Sequence, residues 1–353
     1  MERRYYDVLP PALIFGRDRG EIFASGADIS PASVLGRLGI RYIVFDKKSP
    51  WSKQDRKTYL SRLHHYFGEP IYQDGRLSIY EITVPPSNSP VLVKGRGWYT
   101  LECSKKDIWR WMGSEATVHI EGRFEGPYRL KLAAAPLQKP LHPSGVRLQI
   151  YGSDELIGEY EIEGRREIIT PPFKLDGKSK TIRFHVPEGC QRPFNLLKGN
   201  LDTRCLSFSF NEVRVFPSTP KPPIFGEQIQ LVGFELSEKV SNPGERVYLA
   251  LYWQALRKMG RDFTAFVHLS DDEGRTVTQD DRLLLDRAQQ PTDAWAENEG
   301  IKVIHELQIP PDAIPGRYGI KIGLYELATM ERLWLVGDES GENAVILAEL
   351  EIR

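Results

Sequence analysis

A chain of 353 residues has room for two or three domains at roughly 150 residues each. Lys+Arg 47 against Asp+Glu 48 leaves a formal net charge of -1, which excludes a basic nucleic-acid clamp and an acidic solvating tail. The longest apolar run, Val247 to Trp253, falls far short of the roughly 18 residues a bilayer-spanning helix needs. The start, Met1-Glu-Arg-Arg-Tyr-Tyr-Asp7, has no apolar core and does not read as a signal peptide, so the chain itself reads as soluble.

Two proline-rich stretches, residues 84–96 and 218–223, read as extended linkers, because proline cannot continue a helix or a central strand. They divide the chain into residues 1–83, 97–217 and 224–353. The first part predicts a small α/β domain. Ser30-Pro31 opens a helix ended by Gly39, and Arg41 to Asp46 is a β-branched and aromatic strand. A second helix from about Ser52 places Tyr59, Leu60, Leu63, Tyr66 and Phe67 on one face. Ile71–Tyr72 and Leu77–Ile82 then flank Asp74-Gly75, a tight-turn signal.

Residues 97–217 show short strand-like runs at 116–121, 128–133, 146–151, 156–162, 181–186 and 206–216, the last slipping phase near Asn211. A jelly-roll-like β-sandwich follows from that pattern. In residues 224–353 the segment Val247–Trp253 is apolar on both faces, as a central strand must be. Asp271 to Gly274 reads as a hairpin turn, Tyr318 to Leu324 as a strand with one apolar face, and Val345 to Ile352 as the closing strand. About seven strands predict an immunoglobulin-like β-sandwich. The fold class is thus mainly β: a small N-terminal α/β unit followed by two antiparallel β-sandwiches.

Chemistry-bearing motifs are scarce. No nucleophile elbow, zinc-protease motif or phosphate loop is present, and no cofactor is expected. Gly16 to Gly20 lacks the flanking strand and helix of a phosphate loop. His64 and His65 point about 100° apart on a helix and cannot chelate one metal. Cys103, Cys190 and Cys205 are scattered without metal-ligand spacing. Three free thiols and a Cys190–Cys205 bridge in an oxidising compartment are both open readings. Asp271, Asp272, Asp280 and Asp281 are the weak candidates for calcium, which needs six to eight oxygens; turns recruit Asp for backbone bonding as well. As a glycosidase pair, the same acids lack nearby sugar-stacking aromatics. Trp98, Tyr99, Trp109 and Trp111 are the candidate carbohydrate-binding residues, with burial of the tryptophans in the sandwich core as the competing role. Arg204 is expected to pair with Asp202 or a neighbouring carboxylate.

Leu38-Gly-Ile-Arg-Tyr-Ile-Val-Phe45 and Phe67-Gly-Glu-Pro-Ile-Tyr-Gln-Asp-Gly-Arg-Leu-Ser-Ile-Tyr80 resemble the soluble C-terminal region of bacterial polytopic membrane glycosyltransferases that use polyprenyl-phosphate sugars. Gly97 to Glu102, Trp109 to Ala116, Asn200 to Leu206 and Val213 to Pro217 are similar to the β-sandwich that often follows. Gly233 to Glu235, Pro243 to Glu245, Leu249 to Ala255, Phe263 to Leu269, Gln279-Asp280, Pro291-Thr292 with Trp295, and Gly316 to Tyr325 are similar to a further appended domain. The resemblance implies a non-catalytic, extracytoplasmic accessory region that covers the active-site side or contacts acceptor glycan. Its partner would be a membrane-embedded portion absent from this chain. Catalysis in such enzymes is implied to use acidic residues among the membrane helices, so no catalytic residue carries over. The alternative reading is a carbohydrate-binding β-sandwich module. Neither involves nucleic acid.

Overall fold

The computed structural model describes residues 41–48, part of 56–67, 68–82, 91–103, 108–121, 126–137, 145–174, 181–196, 198–286 and 288–353. The helix expected over 30–39 lies outside them. Described positions between 56 and 67 are helical, with Leu63 buried beside Phe45 and Tyr80; Tyr59 and Tyr66 fall outside the described residues. Three strands join them: β1 (Tyr42–Asp46), β2 (Tyr72–Gln73) and β3 (Leu77–Glu81), in the order β1-β3-β2. The expected Asp74-Gly75 turn is present. Asp74 Oδ1 accepts from the Arg76 and Leu77 amides at 2.7 and 2.6 Å, satisfying donors that the hairpin end would otherwise leave to solvent.

Ten strands and one helical turn follow: β4 (Val91–Lys94), β5 (Trp98–Cys103), β6 (Ile108–Met112), β7 (Glu115–Glu121), β8 (Tyr128–Pro136), β9 (Val146–Gly152), β10 (Glu155–Ile162), β11 (Arg166–Ile169), β12 (Thr181–His185), α1 (Pro193–Leu196) and β13 (Phe208–Pro217). They make two five-stranded sheets, β10-β9-β12-β7-β4 and β11-β8-β13-β6-β5. The tail of the expected linker 84–96 is the edge strand β4. Its Val-Leu-Val run pairs with β7 and buries Leu92, so β-branched sequence prevails once the prolines have ended.

The remaining strands are β14 (Ile224–Phe225), β15 (Ile229–Leu236), β16 (Val240–Ser241), β17 (Arg246–Ala255), β18 (Phe263–Ser270), β19 (Thr276–Leu283), β20 (Gly300–Gln308), β21 (Gly316–Glu326) and β22 (Ala344–Ile352). Their sheets run β14-β15-β17-β20 and β16-β22-β21-β18-β19; the short β16 is parallel to β22, and the other mapped pairs are antiparallel. β17 is central, between β15 and β20, and buries both Leu251 and Tyr252, as its two apolar faces require.

The chain divides into two compact units. One comprises Met1–Glu125, Leu132–Arg165 and Phe173–Val215; the other comprises Gly126–Lys131, Arg166–Pro172 and Phe216–Arg353. In the first, Val118, Ile120, Leu148, Ile150, Ile182 and Phe184 of one sheet and Met112, Phe208 and Phe210 of the other are buried. The Phe184 and Phe210 rings meet edge-on at 5.6 Å between the two sheets. In the second, Leu249, Leu251 and Trp253 share a core with Ala265, Val267 and Leu269 and with Ile320, Ile322 and Leu324. Residues 218–223, expected as linker, are tied to this unit by Thr219 N–H to the Val232 carbonyl and Leu231 N–H to the Pro223 carbonyl, both at 2.9 Å.

Candidate functional site

The four aromatic candidates separate by strand geometry. Gly97, at φ +84, lets the chain pass the Glu115 carbonyl, which a Cβ would approach to 2.0 Å. Trp98 follows and turns inward. Its ring packs edge-on against Phe184 at 5.6 Å and Phe210 at 5.3 Å, and its Nε1 donates to the Thr117 carbonyl at 2.7 Å. All its polar capacity and two ring contacts are spent on the sandwich.

Tyr99 follows, in the irregular stretch between Trp98 and Leu101. The Tyr99 hydroxyl donates to the Cys205 carbonyl at 3.1 Å and accepts from the Cys205 amide at 3.2 Å. The Arg204 guanidinium lies 5.3 Å from the Tyr99 ring centroid. Arg204 pairs with Asp202, Nη2 to Oδ2 at 2.6 Å, and with Glu102, Nη1 to Oε1 at 2.6 Å. Hydrogen bonding to Asp202 is the first cause, with Glu102 adding to it, that raises the Arg204 pKa further; Asp202 is lowered in turn by Arg204. All three charged groups stay partly open to solvent, with side-chain exposures of 26 to 32%.

β6 alternates Trp109, Arg110, Trp111 and Met112. Arg110 and Met112 are buried, Arg110 donating Nη1 to the Tyr99 carbonyl at 3.0 Å, while Trp109 and Trp111 are half-buried on the other face. Register sets Trp109 opposite Glu102 on β5 and Trp111 opposite Ser209 on β13. One sheet face thus carries two indoles beside the Glu102–Arg204–Asp202 network. Such a face combines apolar ring surface with fixed charged hydrogen-bonding groups, the chemistry of a small polar ligand site.

Cys190 and Cys205 form a disulfide with Cα atoms 5.2 Å apart, deciding between the two readings of the cysteines. It closes the loop that carries Asp202 and Arg204. The sequence offered Arg204–Asp202 as a pair; the junction with Tyr99 and Glu102 spans 102 to 106 positions and had no local signal.

The four acidic candidates do not converge. Asp271 closes its own hairpin, accepting from the Glu273 and Arg275 amides and from Arg275 Nε at 2.8 Å. Asp272 stands exposed in the same turn. Asp280 and Asp281 are successive on β19 and serve different partners. Asp280 Oδ2 accepts from Arg282 Nε at 2.7 Å and from the Glu306 amide at 2.9 Å, beside the buried His305. Burial raises the Asp280 carboxyl, and the hydrogen bonds from His305, the Glu306 amide and Arg282 outweigh it, bringing the pKa to about 2. Asp281 accepts from the Tyr325 hydroxyl at 3.1 Å and lies 3.7 Å from His268 Nε2. Among the described residues no three His, Cys, Asp or Glu side chains gather as a metal site, and no helix is long and apolar enough to cross a membrane.

No protein-family model and no curated protein matches this chain. Among solved structures, the C-terminal domain of wzt is similar at 6% identity and TM-score 0.26, over 38% of this chain and 80% of that one. A putative beta-galactosidase from Bacteroides fragilis is similar at 12% identity and TM-score 0.21, over 84% of this chain and 40% of that one. A Niemann-Pick type C2 protein from Japanese carpenter ant is similar at 7% identity and TM-score 0.23, over 39% and 98% respectively. Likeness this slight assigns no function.

Proposed function

We propose that this chain is a non-catalytic accessory region that contacts glycan, belonging to a membrane glycosyltransferase-like protein and facing the outside of the bacterial cell. The observation that carries the glycan contact is the half-buried pair Trp109 and Trp111, on the face opposite Arg110 and Met112 and in register with Glu102 and Ser209. Indole faces accept the C–H face of a sugar ring, and a carboxylate and guanidinium held rigidly at its edge suit paired hydroxyls. Trp98 and Tyr99 serve this face indirectly, Trp98 through the core and Tyr99 by holding Cys205 and Arg204 in place. The Cys190–Cys205 bridge supports an oxidising compartment. The patches similar to glycosyltransferase C-terminal regions support the membrane association, and they are architectural. Thr292, for example, accepts from the Phe263 amide and donates to the Arg261 carbonyl, and Trp295 is buried. Gly233 passes the Phe216 ring so closely that a Cβ would come within 2.6 Å of it.

A bacterial glycan array tests the proposal. The chain is expected to retain a subset of glycans, and Trp109→Ala with Trp111→Ala to lose them. An empty array, or retention unchanged in the variant, would overturn the glycan contact.

A further inference from the structure

The loop closed by Cys190–Cys205 presents apolar side chains to water instead of burying them. Phe194 is 55% exposed and Leu201 86% exposed. The Phe194 amide donates to the Asp202 carbonyl at 2.8 Å, so the backbone of Phe194 lies beside the Asp202–Thr203 peptide, one residue on from Leu201, within the same loop. The base of the loop is firmly built. Besides the disulfide, Gln191 and Leu206 exchange two backbone hydrogen bonds at 2.8 Å, and the Tyr99 hydroxyl holds both polar backbone atoms of Cys205. Asn200 Oδ1 accepts from the Asp202 amide at 2.8 Å, and Gly199 takes φ +84 to turn the chain.

The loop's own charges are mostly basic. Asp202 is the sole acidic residue between Cys190 and Cys205, and it pairs with Arg204, which also pairs with Glu102 of β5. Arg192 and Lys198 are exposed and have no ion-pair partner among the described residues. Exposed apolar side chains flanked by unpaired cations match the interface of an anionic lipid bilayer, where aromatic and aliphatic side chains enter the acyl boundary and basic ones meet the headgroups.

We infer that the Cys190–Cys205 loop is a membrane-surface contact, with Phe194 and Leu201 inserting shallowly and Arg192 and Lys198 meeting anionic headgroups. Asp202 and Arg204 of the glycan face share this loop, but Phe194, Leu201, Arg192 and Lys198 are not part of that face, and flotation is read without glycan. The test is flotation of the full chain with phosphatidylglycerol–phosphatidylcholine vesicles and with phosphatidylcholine vesicles. The wild-type chain is expected to float with the anionic vesicles, less so at raised salt. The double variant Phe194→Ser, Leu201→Ser is expected to lose about tenfold or more of that partitioning. Arg192→Gln with Lys198→Gln is expected to abolish the preference for anionic lipid. Unchanged circular dichroism and the absence of a second and third free thiol establish that each variant is folded and bridged. Failure of the wild-type chain to float, equal flotation of the folded Phe194/Leu201 variant, or loss of self-association instead of flotation in that variant would overturn the inference.

Discussion

Arg110 inverts the obvious reading of its neighbourhood. Alternation along Trp109-Arg-Trp-Met shows that the tryptophans share a face, yet hydrophobicity alone would assign that face to the core. The structure buries Arg110 and Met112 and leaves Trp109 and Trp111 half-buried, and the Tyr99 carbonyl provides a partner for the buried guanidinium. Trp98→Ala is therefore expected to lower unfolding free energy by about 2–4 kcal/mol, and Trp109→Ala by less than about 1 kcal/mol. Urea titration of the two variants side by side checks the contrast; equal losses would contradict it. Asp280 gives a second residue-level outcome. Its folded pKa of about 2 lies below the ordinary carboxylate value of 3.8, so its contribution is complete above about pH 4 and is lost as pH falls through 2. Asp280→Asn is expected to remove about 1–2 kcal/mol at neutral pH and to flatten the pH dependence of stability between about 4 and 2, read by urea titration at each pH.

Elements were legible where the signal is local. Asp74-Gly75 and Asp271 to Gly274 are turns because their Asp carboxylates bond amides two to four residues on, which is visible in a short window. β17 was legible as central because both of its faces are apolar. β4 was not, since Pro90 immediately precedes it and its pairing with β7 is decided almost thirty residues away. The loop from Cys190 to Cys205 is the element whose form depends most on a long-range covalent choice. Its cysteines are 15 residues apart, a closure that contributes about 3 kcal/mol by restricting the unfolded chain. Replacing both cysteines by serine is expected to lower unfolding free energy by about 2–4 kcal/mol in denaturant titration. No change would mean that the Tyr99, Gln191 and Leu206 hydrogen bonds suffice to hold the loop.

Composition and strand pattern were enough to reach a mainly β chain of several antiparallel sheets, since alternation, turn residues and proline breaks are all written locally. The candidate site was not readable in the same way. Its parts come from β5, β6, β13 and the disulfide loop, and only folding sets Glu102 opposite Trp109 and joins it to Arg204. The face on β6 combines half-buried indoles with the charged groups of Glu102 and Arg204. Titration calorimetry with the glycan best retained on the array tests that face most directly. Wild-type chain and Trp98→Phe are expected to bind alike, whereas Trp109→Ala and Glu102→Gln each weaken binding about tenfold or more while remaining folded. Binding by Trp109→Ala at wild-type affinity, or no heat of binding from the wild-type chain, would contradict the account.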